Sequence, residues 1–331
     1  MKHKKHKKEP HTSLIKNDNI DLCLESLRES FEKLDTDELL ELEAALSHLE
    51  ESFDGFDSSD LDYQSDMGFN SESDDSFTAD FIGTVLLPKF KMHRDQIIDD
   101  FKKLWDIEID DVLCNQKDSL VLQIGNKIVY FSLENVGIHK RQMIYAARTN
   151  ELWDQAEETV KKATAYILVG LENDGSGDDN LLERAELLVK ALAVCCHQKN
   201  ALAVLSNYAL HEIQTYLNLA SLLKQGTFPV MCLVSFHFIQ TEYGPSVCSM
   251  GFENFGYDEI EVLGYDKDIP CHDMLNFLSG IGIEIIKDGL DLNNIPTIEV
   301  SDKHRYKIEK SPAVCIPDNL DTIKLLPIRD L

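Results

Sequence analysis

The chain has 331 residues, of which 43% are hydrophobic and 27% charged, and its formal net charge is −27. That length admits two average domains, or one large domain with an extension, and the apolar share can furnish a sizeable core. So acidic a surface repels phosphate backbones, which excludes nucleic-acid binding as the expected role of the body. No apolar run approaches the ~20 residues of a membrane-spanning helix.

The charge is unevenly spread. Residues 1–16 carry about +5, residues 17–80 about −19 and residues 81–331 about −13. Residues 1–18 open with Lys2-His3-Lys4-Lys5-His6-Lys7-Lys8 and read as a disordered basic tail, either simply solvated or touching an anionic surface. No apolar core follows these lysines, so no export signal is expected. The eight cysteines contain no Cys-x-x-Cys pair and sit mostly in apolar strings, as reduced residues of a cytoplasmic protein would.

Residues 19–53 predict two acidic amphipathic helices. Ile20, Leu24, Leu27, Phe31 and Leu34 repeat at helical spacing, and Leu39, Leu42, Leu46, Leu49 and Phe53 do so again after a phase slip at Asp35-Thr36-Asp37-Glu38. Neither stripe can be buried alone, so both need a surface to dock on, in this chain or another. Residues 54–79 mix Phe56, Leu61, Tyr63, Phe69 and Phe77 with Asp, Ser and Glu without a period, the pattern of an acidic disordered linker.

From residue 80 to 331 the texture is that of a folded α+β body with mixed sheets. A strand at 81–87, a helix at 93–105, strands near 110–123 and 127–133, a helix at about 149–163 and a strand at 165–169 give the order β-α-β-β-α-β of a ferredoxin-like unit. A helix at 180–198 follows, with Asn180 and Glu183 as its capping box and Leu181, Ala185, Leu188, Leu192 and Cys195 as one stripe. Next come a strand at 201–205, a helix at 209–225 stopped by Gly226 and a strand at 229–239. Strands near 246–252 and 258–264, a helix from Cys271 to Lys287 and strands at 297–300 and 305–309 complete the body, the last pairing with 322–326.

Residues 80–331 resemble the bacterial domain of unknown function DUF4261. The likeness rests on the helix bearing Trp153 that runs into Tyr166–Val169, on Phe228-Pro229 before a long strand, and on the bend from Met250-Gly251-Phe252 through Phe255-Gly256 into Glu259-Ile260-Glu261. Asn293-Asn294-Ile295-Pro296-Thr297-Ile298 stands where that family tends to have Asp-Gly-x-Thr-Ile. The histidines common in the family near residues 161–166 are absent. The resemblance implies an α+β fold in a soluble bacterial protein, and no mechanism.

Three segments carry residues with chemical potential. Glu253 and Glu259, with Asp258 and Glu261, offer carboxylates beside a glycine bend, as a ligand loop would; a tight turn whose Glu259 and Glu261 form a solvated strand face explains the same residues. Cys271 and His272 start a helix, where a thiolate is stabilised, although Pro270 with a polar first turn is ordinary helix initiation. Cys195-Cys196-His197 is a weaker thiol candidate on an apolar helix. Glu172, Asp174, Ser176, Asp178 and Glu183 partly match a calcium loop with Gly177 at its sixth position, and a polar turn ending in a capping Glu matches them equally. His211, His237 and His304 show no ligand spacing, and no phosphate-cradling or hydrolase signature occurs. The expectation is therefore a cofactor-free module that binds another protein, with immunity or antitoxin proteins as one version. A hydrolase or transferase built on Cys271, His272 and the Gly251–Glu261 loop is the alternative.

Overall fold

The computed structural model describes residues 81–331 apart from 138–139, 151, 174–179, 207, 300–303, 317–319 and 329–331. The basic tail, the acidic helices and the linker expected before residue 80 lie outside the described residues. What is described is α+β, with a seven-stranded and a six-stranded sheet.

Strand β1 (Ile82–Leu87) leads to α1 (Arg94–Trp105), which buries Ile97 and Phe101 one turn apart and ends on Asp106 in the left-handed region at φ 55°. Strands β2 (Asp111–Gln116), β3 (Ser119–Ile124) and β4 (Lys127–Asn135) follow. One long strand was expected over 110–123. Instead Gln116 pairs with Ser119 across a turn at Lys117-Asp118, because the polar run after Leu113 has no apolar face to keep in a sheet. The expected helix at 149–163 is likewise replaced by α2 (Lys140–Arg148) and α3 (Ala156–Lys161). Asn150 makes the break: its Nδ2 donates to the Leu210 carbonyl at 2.7 Å, and its Oδ1 accepts from the Leu152 amide at 3.0 Å, a local alternative to helical bonding.

Strand β5 (Ala165–Asn173) precedes α4 (Leu181–Cys196). The capping box is present, with Asn180 Oδ1 accepting from the Leu182 and Glu183 amides and Asn180 Nδ2 donating to Glu183 Oε1. α4 buries eleven residues rather than one stripe, because it packs on β1 and β5 and also against α1 and α5 (Ile213–Ser221). Each leucine so covered contributes roughly 1.5–3 kcal/mol. Strands β6 (Ala203–Ser206) and β7 (Ala209–Glu212) precede α5, so the helix expected from 209 begins four residues later. A 3-10 turn over 222–225 carries the chain to Gly226.

The first sheet runs β2-β3-β4-β5-β1-β6-β7 with every pair antiparallel. The second sheet takes β8 (Ser235–Thr241), β9 (Gly244–Met250), β10 (Ile260–Val262), β11 (Thr297–Glu299), β12 (Arg305–Pro312) and β13 (Asp321–Pro327) in the order β11-β12-β13-β10-β9-β8. Only β10 and β13 pair in parallel; β12 pairs with β13 as expected. Helix α6 (Cys271–Asp288) crosses between β10 and β11 and ends on Gly289 at φ 68°. One hydrophobic cluster takes residues from both sheets, from Phe81 and Val85 to Ile323 and Leu325. No described helix is long and apolar enough to cross a membrane.

Candidate functional site

The bend after β9 is built from the inside out. Gly251 sits at φ 128°, and a Cβ there would stand 2.6 Å from the Leu233 carbonyl oxygen, so only glycine fits. The following 3-10 turn, Phe252–Phe255, puts both aromatic rings into the core. Phe255 lies edge-on to Phe81 at 5.4 Å and to Phe228 at 5.9 Å between centroids, joining the two sheets. The aromatic character of the bend is thus a packing feature.

Its carboxylates divide by role. Glu253 is exposed. Glu259 accepts from Ser249 Oγ at 2.5 Å, from the Gly251 amide at 2.7 Å and from the Glu253 amide at 3.2 Å, so it holds the bend closed. Burial pushes its carboxyl up from the ordinary range against the pull of those donors. Glu261 has no exposed surface. Its carboxylate accepts from the amides of Val314, Cys315 and Ile316 at 3.0, 2.7 and 3.3 Å and lies 3.3 Å from Lys324 Nζ. Lys324 Nζ in turn donates to the carbonyls of Ser311 and Pro312 and to Thr322 Oγ1 at 2.9, 2.6 and 2.9 Å. The expected solvated face of Glu259 and Glu261 is therefore corrected: both carboxylates are internal clamps, because neighbouring backbone amides supply the donors that water otherwise would.

At the start of α6, Cys271 is partly buried against the core, while His272 pairs with its neighbour Asp273 at 3.0 Å and both are about half exposed. The carboxylate bonds of Glu259 go to residues 249–253, at the opposite end of β10 from this helix. Cys195 and Cys196 are buried, and burial pushes both thiols up, which disfavours the reactive thiolate. His211 is partly buried on β7: its Nε2 lies 2.8 Å from the Met231 carbonyl, and desolvation pushes it down to about 4. Burial also lowers His237, whose Nε2 lies 2.8 Å from Ser235 Oγ, a hydroxyl that also reaches the Met250 carbonyl at 3.4 Å. Of the calcium-loop candidates, Asp174, Ser176 and Asp178 lie outside the described residues; Glu172 is exposed at the end of β5, and Glu183 caps α4.

Two features escaped sequence reasoning. The loop from β10 to α6 brings Asp266 and Asp268 to His304, just before β12, with one ligand atom from each within 4.8 Å of the others. Asp266 and Asp268 form an Asp-x-Asp pair, but their partner is 36 residues away in sequence, beyond any local spacing rule. The second is β2, the edge of the seven-stranded sheet, where Val112 and Leu113 are 41% and 48% exposed. A depression beside Trp105 is also rimmed by lysines. There Lys102 is taken by Asp106 and Glu108, and Lys224 lies over the Trp105 ring at 5.1 Å. Compared with known proteins, the chain matches no family model, no curated protein and no solved structure.

Proposed function

We propose that the protein is a non-enzymatic, cytoplasmic interaction module that adds a strand of a basic partner protein to its own sheet. The observation that carries this reading is the edge strand β2. Every residue from Asp111 to Gln116 is exposed except Cys114, which is intermediate, and Val112 and Leu113 are among the most exposed large apolar residues of the described chain. An edge strand offers unpaired backbone donors and acceptors, and apolar side chains on it favour pairing with another chain. Asp110 and Asp111 flank that edge in a chain of net charge −27, so charge complementarity selects a basic partner and speeds its encounter. Neutralising a basic effector, as immunity and antitoxin proteins do, is the version that suits the acidity best.

Membership in the DUF4261 family remains part of this proposal. We also propose a ferredoxin-like core, on other elements than the unit expected over 81–169, in which β4 rather than β6 would flank β1: the sub-order β6-β1-β5-β4, antiparallel throughout, with α1 leaving β1 and α4 entering β6, supports a split β-α-β unit. The hydrolase or transferase alternative loses support from Glu259, whose carboxylate is committed to three donors.

The test is capture from the native host with the full chain, wild type against Val112→Lys/Leu113→Lys. A basic protein retained by the wild type, released by 0.5 M salt, lost from the variant, and protecting the β2 amides from hydrogen exchange is the expected result. Equal capture by both chains, or a retained partner that is acidic, refutes the reading.

A further inference from the structure

We propose that Asp266, Asp268 and His304 bind one divalent transition-metal cation, zinc by preference, independently of the β2 edge. His304 Nε2 lies 3.7 Å from Asp266 Oδ2 and 3.5 Å from Asp268 Oδ1. Both distances exceed the 2.7–3.2 Å of a well-formed N–H···O bond. They are close to the spacing of atoms that share a metal: bonds of about 2.0–2.2 Å to nitrogen and oxygen give tetrahedral edges of about 3.3–3.6 Å.

The surroundings favour a cation. Two carboxylates converge within 4.8 Å in a strongly acidic chain, an arrangement that repels itself unless positive charge is supplied. The imidazole is mostly covered, its side chain 16% exposed, while Asp266 and Asp268 are 45% and 73% exposed. An incoming ion therefore has access from the carboxylate side and a fixed nitrogen behind it. Tyr306, two residues beyond His304, is 1% exposed and stacked on Phe277 of α6 at 6.3 Å.

Donor chemistry sets the preference. One imidazole with two carboxylates suits zinc, manganese or cobalt better than magnesium or calcium, which take oxygen ligands only. Three protein donors leave a fourth position for water or a ligand, so the site is open, whereas a structural zinc site is closed. The cation also joins the β10–α6 loop to the start of β12. No other group of three His, Cys, Asp or Glu side chains converges in this way among the described residues.

The test uses the full chain with His3, His6 and His11 changed to alanine, which removes the imidazoles of the tail. After chelation and dialysis, cobalt(II) is titrated while its visible absorption is followed, and zinc is titrated in competition. The expected result is one cobalt per chain with the intense bands of a four-coordinate ion, displaced by zinc, and a melting temperature raised by zinc but not by magnesium. Asp268→Asn, at an exposed position that folding tolerates, and His304→Gln each weaken binding tenfold or more, whereas His272→Ala leaves it unchanged. Absence of binding by the tail-substituted chain overturns the proposal. So does unaltered affinity in Asp268→Asn and His304→Gln, or loss of binding in His272→Ala.

Discussion

Replacing Glu261 by glutamine tests whether the buried clamp between β10 and the 311–316 loop holds the second sheet together. The substitution keeps the shape and removes the charge. A glutamine oxygen can still accept from one or two of the three amides. Its NH2 group, however, must face a donor: the Val314, Cys315 or Ile316 amide or the Lys324 ammonium. Hydrogen bonds to a charged acceptor are worth ~1.5–3 kcal/mol each, and they do not add fully. Lys324, 4% exposed, would also be left as a buried cation facing two carbonyls and a hydroxyl. Breaking a buried pair from one side costs ~3–5 kcal/mol, so Glu261→Gln should lose about that much in urea unfolding and melt roughly 6–20 °C lower. Hydrogen exchange at Val314–Ile316 should accelerate in step. Adding Lys324→Met to Glu261→Gln should cost less than the two single losses summed, because the second substitution removes the stranded cation. A loss below ~1 kcal/mol for Glu261→Gln, or single losses that simply add in the double variant, would refute the reasoning.

Two other expectations follow from buried groups at defined positions. His211 is held neutral by desolvation, down to about 4, whereas the unfolded chain binds a proton from near 6.5. Its contribution to stability is whole above pH 6.5 and is lost as pH falls toward 4, by up to ~3 kcal/mol at ~1.4 kcal/mol per tenfold change in proton affinity. Unfolding midpoints at pH 7 and pH 4.5 should therefore fall less in His211→Gln than in the wild type; parallel losses would contradict the assignment. Gly251→Ala should cost about 2–4 kcal/mol, since φ 128° and the Leu233 carbonyl both oppose a Cβ. Gly256→Ala, at φ 78° with open space around it, should cost about 1 kcal/mol, so equal losses at the two glycines would undo that account.

Local features were legible in the residues themselves. The capping box of Asn180 and Glu183, the β1 run, the start of α6 at Pro270-Cys271 and the pairing of 305–309 with 322–326 all rest on short-range rules of capping, periodicity and alternation. Those rules failed where a distant group decided the outcome. Asn150 breaks a helix because the Leu210 carbonyl is there to receive it.

The site followed the same division. Sequence alone determined which carboxylates, thiols and imidazoles exist, where the acidity concentrates, and that Gly251 marks a constrained turn. Tertiary structure decided what each group faces. It turned Glu259 and Glu261 from a presumed wet face into clamps, sank Cys195 and Cys196, and carried His304 to Asp266 and Asp268. The physical reason is range: caps, turns and periodicity are set within a few residues, whereas burial and charge convergence depend on atoms that only a folded chain brings within 4 or 5 Å.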